Sequence, residues 1–251
     1  MKINWKVIGV ITVSVAVIIN FVVLCSLGYD IMKLRYTTED INRQYVISNL
    51  LWQRQQNEIL SETYEQIHGA CVRVINLSAG TTGSGTIIKL DKDYYVISCG
   101  HMVKTPKDNF QVKTKEGVLV DVRFLTLNQA IELSLYKVIS SPAKLQYVLI
   151  SQETPKVGYE VVVIGYPSNF NNILTDGIIS EITEDSYTLT NITACGSSGS
   201  GVFYRGKLIG VFNSIYELDF YKKLGCPKLG KATKLEVIKK FLLDYFAGEK
   251  K

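Results

Sequence analysis

"TACGSSGSGVF", residues 193–203, packs three glycines and three serines into the six positions from Gly196 to Gly201. Three local structures use such a composition: a flexible linker, a phosphate-cradling loop, or a tight turn that presents one reactive serine. A linker is disfavoured because apolar β-rich runs lie on both sides and no shift in composition marks a boundary. A phosphate loop needs a strand, a glycine-rich turn, a lysine and then a helix. Here Val202 onward reads as a strand, and no Lys-Ser/Thr pair comes after it. What remains is a turn whose glycines permit unusual backbone dihedrals and whose N–H groups converge. A serine held there is a candidate nucleophile, and the neighbouring N–H groups are candidates to hold an oxyanion.

Short β-rich runs surround the turn. On its N-terminal side they are 71–75, 85–90, 94–98, 110–114, 118–125, 133–139, 159–166, 177–183 and 186–190, and on its C-terminal side 201–204 and 207–213. Turn residues separate them at the spacing of an all-β barrel or sandwich, and no long helical pattern lies between them to build a parallel α/β sheet. The spacing predicts one amphipathic helix at the end, 233–246, with Leu235, Val237, Ile238, Phe241, Leu242 and Phe246 on its apolar face.

The N-terminal quarter is different. Residues 7–29, "VIGVITVSVAVIINFVVLCSLGY", are 23 residues without a charge, the length that spans a bilayer as a helix. A cleavable signal peptide is the rival reading, but the apolar core is long for one and no small-x-small site closes it. A lipoprotein reading of Cys25 is weak because Leu24 precedes it. Lys2 and Lys6 against Lys33 and Arg35 give a slight bias toward a cytoplasmic N-terminus, which would put residues 30–251 outside the cytosol. Residues 38–67 contain no Gly or Pro, and Thr37 or Thr38 with Glu39 and Asp40 predicts a capped helix start. The expected organisation is a short tail (1–6), a transmembrane anchor (7–29), a helical stalk (30–68) and a folded domain (69–251). The stalk is also a candidate for self-association with a second copy of the chain.

Composition narrows the chemistry. A net charge of +5, with lysines scattered among acidic residues, argues against a nucleic-acid partner. Five cysteines without CxxC pairs suggest no metal site, and no cofactor is expected. The chain has only two histidines. His68 comes after the predicted helix 38–67, whereas His101 comes after the strand "YYVIS" at a strand-to-loop transition, where a nucleophilic serine would need its base.

At these residues the chain resembles the trypsin-like serine proteases. "GSGTIIKLDKDYYVISCGHMV" (83–103) is similar to their "GSG … apolar-Thr-Ala-Ala-His-apolar-Val" segment, and "GSSGSGVFYRGKLIGV" (196–211) to "GNSGG/GNSGSPVF … G-x-apolar-apolar-G-apolar". "VGYEVVVIGYPSNFNNILTDGIISEI" (157–182) and "GKATKLEVIKKFL" (230–242) match further pieces in the family's order. The HtrA-type and bacterial glutamyl-endopeptidase branches are the most similar, although no region resembles a C-terminal PDZ module. The resemblance implies an all-β, chymotrypsin-like double β-barrel with a C-terminal helix, preceded by the transmembrane helix and helical stalk.

It also implies roles. Ser198, third in the G-x-S-G pattern, would be the nucleophile and His101 its general base, with the N–H groups of Gly196 and Ser198 forming the oxyanion hole. Protein or peptide substrates would be cleaved through an acyl-enzyme. The family's Asp is replaced by Glu132, 31 residues after His101, and Asp93 and Asp121 do not occupy its place. Ser197 stands where digestive zymogens carry an Asp, so activation by a new N-terminal salt bridge is not expected. Ile192 would line the base of the first subsite and Phe212, Asn213 and Ser214 a wall, favouring a small or medium apolar side chain before the scissile bond. A Cys195–Cys226 disulfide would brace that subsite. The competing reading is an inactive barrel kept as a binding scaffold, suggested by Glu132 and by "SCGH" in place of "TAAH".

Overall fold

The computed structural model describes residues 5–141, 144–168, 170–216 and 229–248. Contacts divide the chain into two units, Met1–Leu60 and Ser61–Lys251. The first is the body of one helix, α1 (Trp5–Ile67). Its most apolar stretch has a mean hydropathy of 1.7, so it is long and apolar enough to cross a membrane, a property that a signal sequence near the N-terminus shares. Val17, Ile18, Phe21 and Leu24 are all exposed along it.

The helix start expected at Thr37–Thr38 does not occur. Both hydroxyls instead donate backward to the carbonyls of Lys33 and Leu34, at 2.8 Å each. A threonine that satisfies itself this way sits inside a helix rather than capping one. With no proline before residue 67 to stop propagation, residues 5–67 form one continuous helix across the expected anchor–stalk boundary.

The second unit begins in the last turns of α1, where Ile67 is fully buried. Its first six strands are β1 (Cys71–Asn76), β2 (Thr81–Leu90), β3 (Asp93–Ser98), β4 (Phe110–Lys113), β5 (Leu119–Asn128) and β6 (Leu133–Ser140). They close into a barrel in the order β1-β2-β3-β6-β5-β4. The next six are β7 (Glu160–Gly165), β8 (Ile173–Ile182), β9 (Ser186–Leu189), β10 (Gly201–Tyr204), β11 (Lys207–Tyr216) and β12 (Leu229–Lys234). These close as β10-β11-β12-β9-β8-β7. The chain thus has the expected chymotrypsin-like double barrel.

Each barrel is filled by one face of its strands. Cross-strand partners Val74, Val112 and Val120, and likewise Val96 and Tyr136, are buried in the first. Phe110 meets the Tyr136 ring edge-on at 4.9 Å. The second is packed with Val161, Val163, Ile179, Tyr187, Leu189, Val202, Ile209, Phe212 and Ala232. Closure leaves neither sheet an open edge.

The C-terminal helix, α2 (Leu235–Gly248), starts two residues later than predicted because Thr233 and Lys234 complete β12. That strand, "LGKATK", is not legible as one in the sequence: its two lysines and glycine give no apolar alternation. Leu235, Ile238, Phe241 and Leu242 are buried, and Phe246 reaches the first barrel edge-on to Tyr95 at 5.3 Å. Truncating Ile238 to alanine is expected to cost about 2–5 kcal/mol, read as a lower midpoint in chemical denaturation.

Candidate active site

Sequence-predicted residues converge where the two barrels meet. His101 lies in a single 3-10 turn, Gly100–Met102, directly after β3. The loop beyond is fixed from the β1 side, where Asn76 Nδ2 donates to the Met102 carbonyl (3.0 Å) and to Asp108 Oδ2 (2.7 Å). Asp108 also accepts from the backbone N–H groups of Lys104 and Thr105 and from the Thr105 hydroxyl. These bonds, led by that from Asn76, hold its carboxyl down from an ordinary 3.8 to about 2.

Glu132 and His101 are brought together. Glu132 Oε2 lies 2.9 Å from His101 Nδ1 and accepts the His101 backbone N–H at 3.1 Å. Glu132 sits at φ +57°. That left-handed conformation costs a non-glycine residue on the order of 1–3 kcal/mol. The preceding carbonyl, of Ile131, accepts from Thr233 Oγ1 (2.7 Å), which in turn accepts from Asn213 Nδ2 (3.1 Å).

The serine turn is built as its composition predicts. Gly196 and Gly199 adopt φ +96° and +88°. A Cβ on Gly196 would stand 2.7 Å from the Tyr166 carbonyl, and one on Gly199 would overlap the Ser84 carbonyl. Ser197 N–H donates to Ala194, Gly199 N–H to Phe212 and Ser200 N–H to Ser197. Among the described residues, the N–H groups of Gly196 and Ser198 have no protein acceptor. The Cys195 carbonyl is turned away from them and accepts from Ser168 N–H at 2.6 Å.

Ser84, to which the sequence alone assigns no role, ties this turn to the first barrel. Its N–H donates to the Ser198 carbonyl (2.8 Å), its hydroxyl donates to the Gly196 carbonyl (2.7 Å), and the same hydroxyl accepts from Tyr166 N–H (2.8 Å). The neighbouring Gly83 separates the two motifs by one residue's width. A Cβ there would meet Met102 Sδ at 2.6 Å and the Ser198 carbonyl at 3.0 Å.

Ser198 is half-buried, and its hydroxyl donates to the Asn213 carbonyl at 3.4 Å. His101 Nε2 lies 3.6 Å from Cys99 Sγ. Burial, reinforced by the nearby Glu132 charge, pushes that thiol up to about 12, so it stays protonated at neutral pH.

The expected subsite residues separate. Ile192 is 81% exposed and borders an apolar hollow of about 350 Å³ with Val163, Pro167, Phe170, Ile173 and Ala194. Phe212 instead points into the core of the second barrel, 1% exposed, so its side chain is not available to form a subsite wall. A register shift between Phe212 and Ser214 leaves Asn213 buried and Ser214 exposed. Cys195 is exposed; Cys226, its expected disulfide partner, lies outside the described residues.

The sequence profile described as a trypsin-like peptidase domain matches residues 83–211, which include the serine turn, His101, Glu132 and Ser84. The chain belongs to the trypsin-like peptidase family. Serine protease HTRA1B of Danio rerio is similar to it, 29% identical over 103 residues, or 41% of this chain and 21% of that protein. The match therefore spans about a fifth of that relative's length. Among solved structures, the serine endoprotease from Yersinia pestis superposes with a TM-score of 0.63 at 22% identity, covering 74% of this chain and 65% of the other. An inactive mutant form of Rv3671c from M. tuberculosis H37Rv gives 0.60 at 19% identity, covering 74% and 90%. Both likenesses concern the fold of this trypsin-like peptidase domain.

The supports of the site carry two expected outcomes. Ser84→Ala leaves the Tyr166 N–H and Gly196 carbonyl without their partner and is expected to destabilise by roughly 1–3 kcal/mol, seen as a lower urea midpoint. Asp108 has a depressed folded-state pKa, so its contribution is present above an unfolded value near 3.8 and disappears as pH falls toward 2. The melting-temperature gap between wild type and Asp108→Asn is expected to stay constant from neutrality down to about pH 5. Between about pH 4 and 2 that gap is expected to close.

Proposed function

We propose that the chain is a membrane-anchored serine endopeptidase acting through Ser198, His101 and Glu132. The observation that carries this reading is the double acceptance by Glu132 Oε2 of the His101 N–H and Nδ1. A carboxylate on Nδ1 keeps the proton on that nitrogen, which leaves Nε2 as an acceptor for the serine proton. It also stabilises the imidazolium that forms when that proton arrives.

In the proposed reaction Ser198 Oγ gives its proton to His101 Nε2 and attacks the scissile carbonyl. The developing oxyanion takes the unpaired N–H groups of Gly196 and Ser198, whose peptide planes are held by the bonds that the Cys195 and Ser197 carbonyls accept from the Ser168 and Ser200 N–H groups. His101 then returns the proton to the leaving amine, and water hydrolyses the acyl-enzyme by the same route in reverse. For this the serine hydroxyl must leave the Asn213 carbonyl for the imidazole, a tightening that substrate-free sites often require.

Ile192, Ala194 and Ser214 are the accessible residues near the first subsite and support preference for a small or medium apolar side chain before the cut. Residues 7–29 of α1 would cross the membrane, 30–68 would form the stalk, and 69–251 would be the protease, placed outside the cytosol.

A fluorophosphonate probe tests the chemistry. Wild type is expected to form a covalent adduct, Ser198→Ala none, and His101→Ala one at least ~10³-fold slower. Folded wild-type protein that forms no Ser198-dependent adduct would be a binding scaffold instead. A reporter joined after residue 251 tests the topology, and a cytosolic signal would overturn it.

A further inference from the structure

Two departures from the family pattern meet at one point in space. The resembling segment has alanine immediately before its histidine and an aspartate as its acid; this chain has Gly100 and Glu132. A Cβ built on Gly100 would stand 3.2 Å from Glu132 Cα, 3.3 Å from its carbonyl carbon and 3.1 Å from Leu127 Cδ1. Two of these three are main-chain atoms, which cannot swing aside as the end of a flexible side chain can.

The main chain of Glu132 passes this close because of how the glutamate is housed. At φ +57° the residue folds back on the turn that precedes it, its N–H 3.4 Å from the Gln129 carbonyl. The longer side chain then arrives with Oε2 on both donors of His101. Moving Glu132 away by a few tenths of an ångström would stretch both bonds together. The Thr233 hydroxyl, bonded to the Ile131 carbonyl, ties down the adjoining peptide.

We infer that Gly100 is a positioning residue acting through Glu132. The missing Cβ is what allows a glutamate, in place of an aspartate, to orient His101. The inference rests on the Ser198–His101–Glu132 reading and adds a requirement that the reading does not itself contain: the two departures are coupled.

The test compares wild type, Gly100→Ala, Glu132→Asp and the double variant in the full-length chain. Fluorophosphonate labelling rates are measured from about pH 5 to 9 alongside melting temperatures. Gly100→Ala is expected to slow labelling ~10–100-fold, as a misplacement near 1 Å does. The acidic limb of its rate profile is expected at lower pH, because an imidazolium with less carboxylate support deprotonates more readily. Glu132→Asp alone also slows labelling, since the shorter side chain cannot reach from φ +57°. The double variant is expected to label within about threefold of Glu132→Asp alone, because a Cβ that acts only through the carboxylate has nothing further to displace once that carboxylate is out of reach.

A Gly100→Ala protein with wild-type rate and an unmoved limb overturns the inference, as does a double variant slower than Glu132→Asp by the full Gly100→Ala factor. If Gly100→Ala fails to fold, the double variant decides: restored melting with labelling at the Glu132→Asp rate supports the coupling, since residue 132 is then no longer held against His101, and a double variant that also fails to fold refutes it. Absence of Ser198-dependent labelling in wild type is a separate result, which removes the protease reading and this inference with it.

Discussion

A site divided between two closed barrels can work only if some fixed contact carries position from one to the other, and Ser84 supplies it. From β2 of the first barrel its main chain and hydroxyl hold the Ser198 and Gly196 carbonyls and receive the Tyr166 N–H at the end of β7. Its own carbonyl accepts the Ser98 hydroxyl at 2.6 Å, at the end of the strand that leads to His101. One residue thus touches the serine turn, the second barrel and the histidine strand. The glycines around it reflect that density: a Cβ at Gly165 would overlap the Ser200 hydroxyl, and one at Gly199 the Ser84 carbonyl itself. They serve close approach as much as backbone freedom.

A second link runs the other way. Asn213 in β11 donates to Thr233 in β12, and Thr233 donates to the carbonyl that precedes Glu132 in the first barrel. The serine turn is therefore held by the first barrel and the acid turn by the second. Each half of the site depends on packing that the other half's barrel provides. Displacement of one barrel would disturb the nucleophile turn and the acid together, which makes the interface, more than either core, the determinant of site geometry.

What could be read from the sequence was what local pattern encodes. Period-two apolar runs gave eleven of the twelve strands, and the glycine spacing of 196–201 gave the turn with its positive φ values. What could not be read depended on long-range geometry. Ser84 looks like any serine until the second barrel arrives, 112 residues later in the chain, to offer it the Gly196 carbonyl. The family resemblance implies a subsite wall at Phe212, but the irregularity between it and Ser214 resets which side chains face inward. Thr37 and Thr38 have the chemistry of caps, and only the uninterrupted helix around them turned their hydroxyls backward.

The division between fixed and movable parts also bears on the proposed mechanism. The carbonyls of Cys195 and Ser197 are pinned at 2.6 and 2.9 Å, so the peptide planes that would aim the oxyanion donors are set before any substrate arrives. The Glu132–His101 pair is fixed through two bonds to one oxygen. The Ser198 hydroxyl alone is held loosely, by a 3.4 Å contact at the long end of hydrogen bonding. That contact costs little to break, which frees the hydroxyl to turn in the proposed attack. A preorganised backbone with a single free rotor is the arrangement that electrostatic stabilisation of an oxyanion requires, since donors that had to reorient during attack would forfeit most of their advantage.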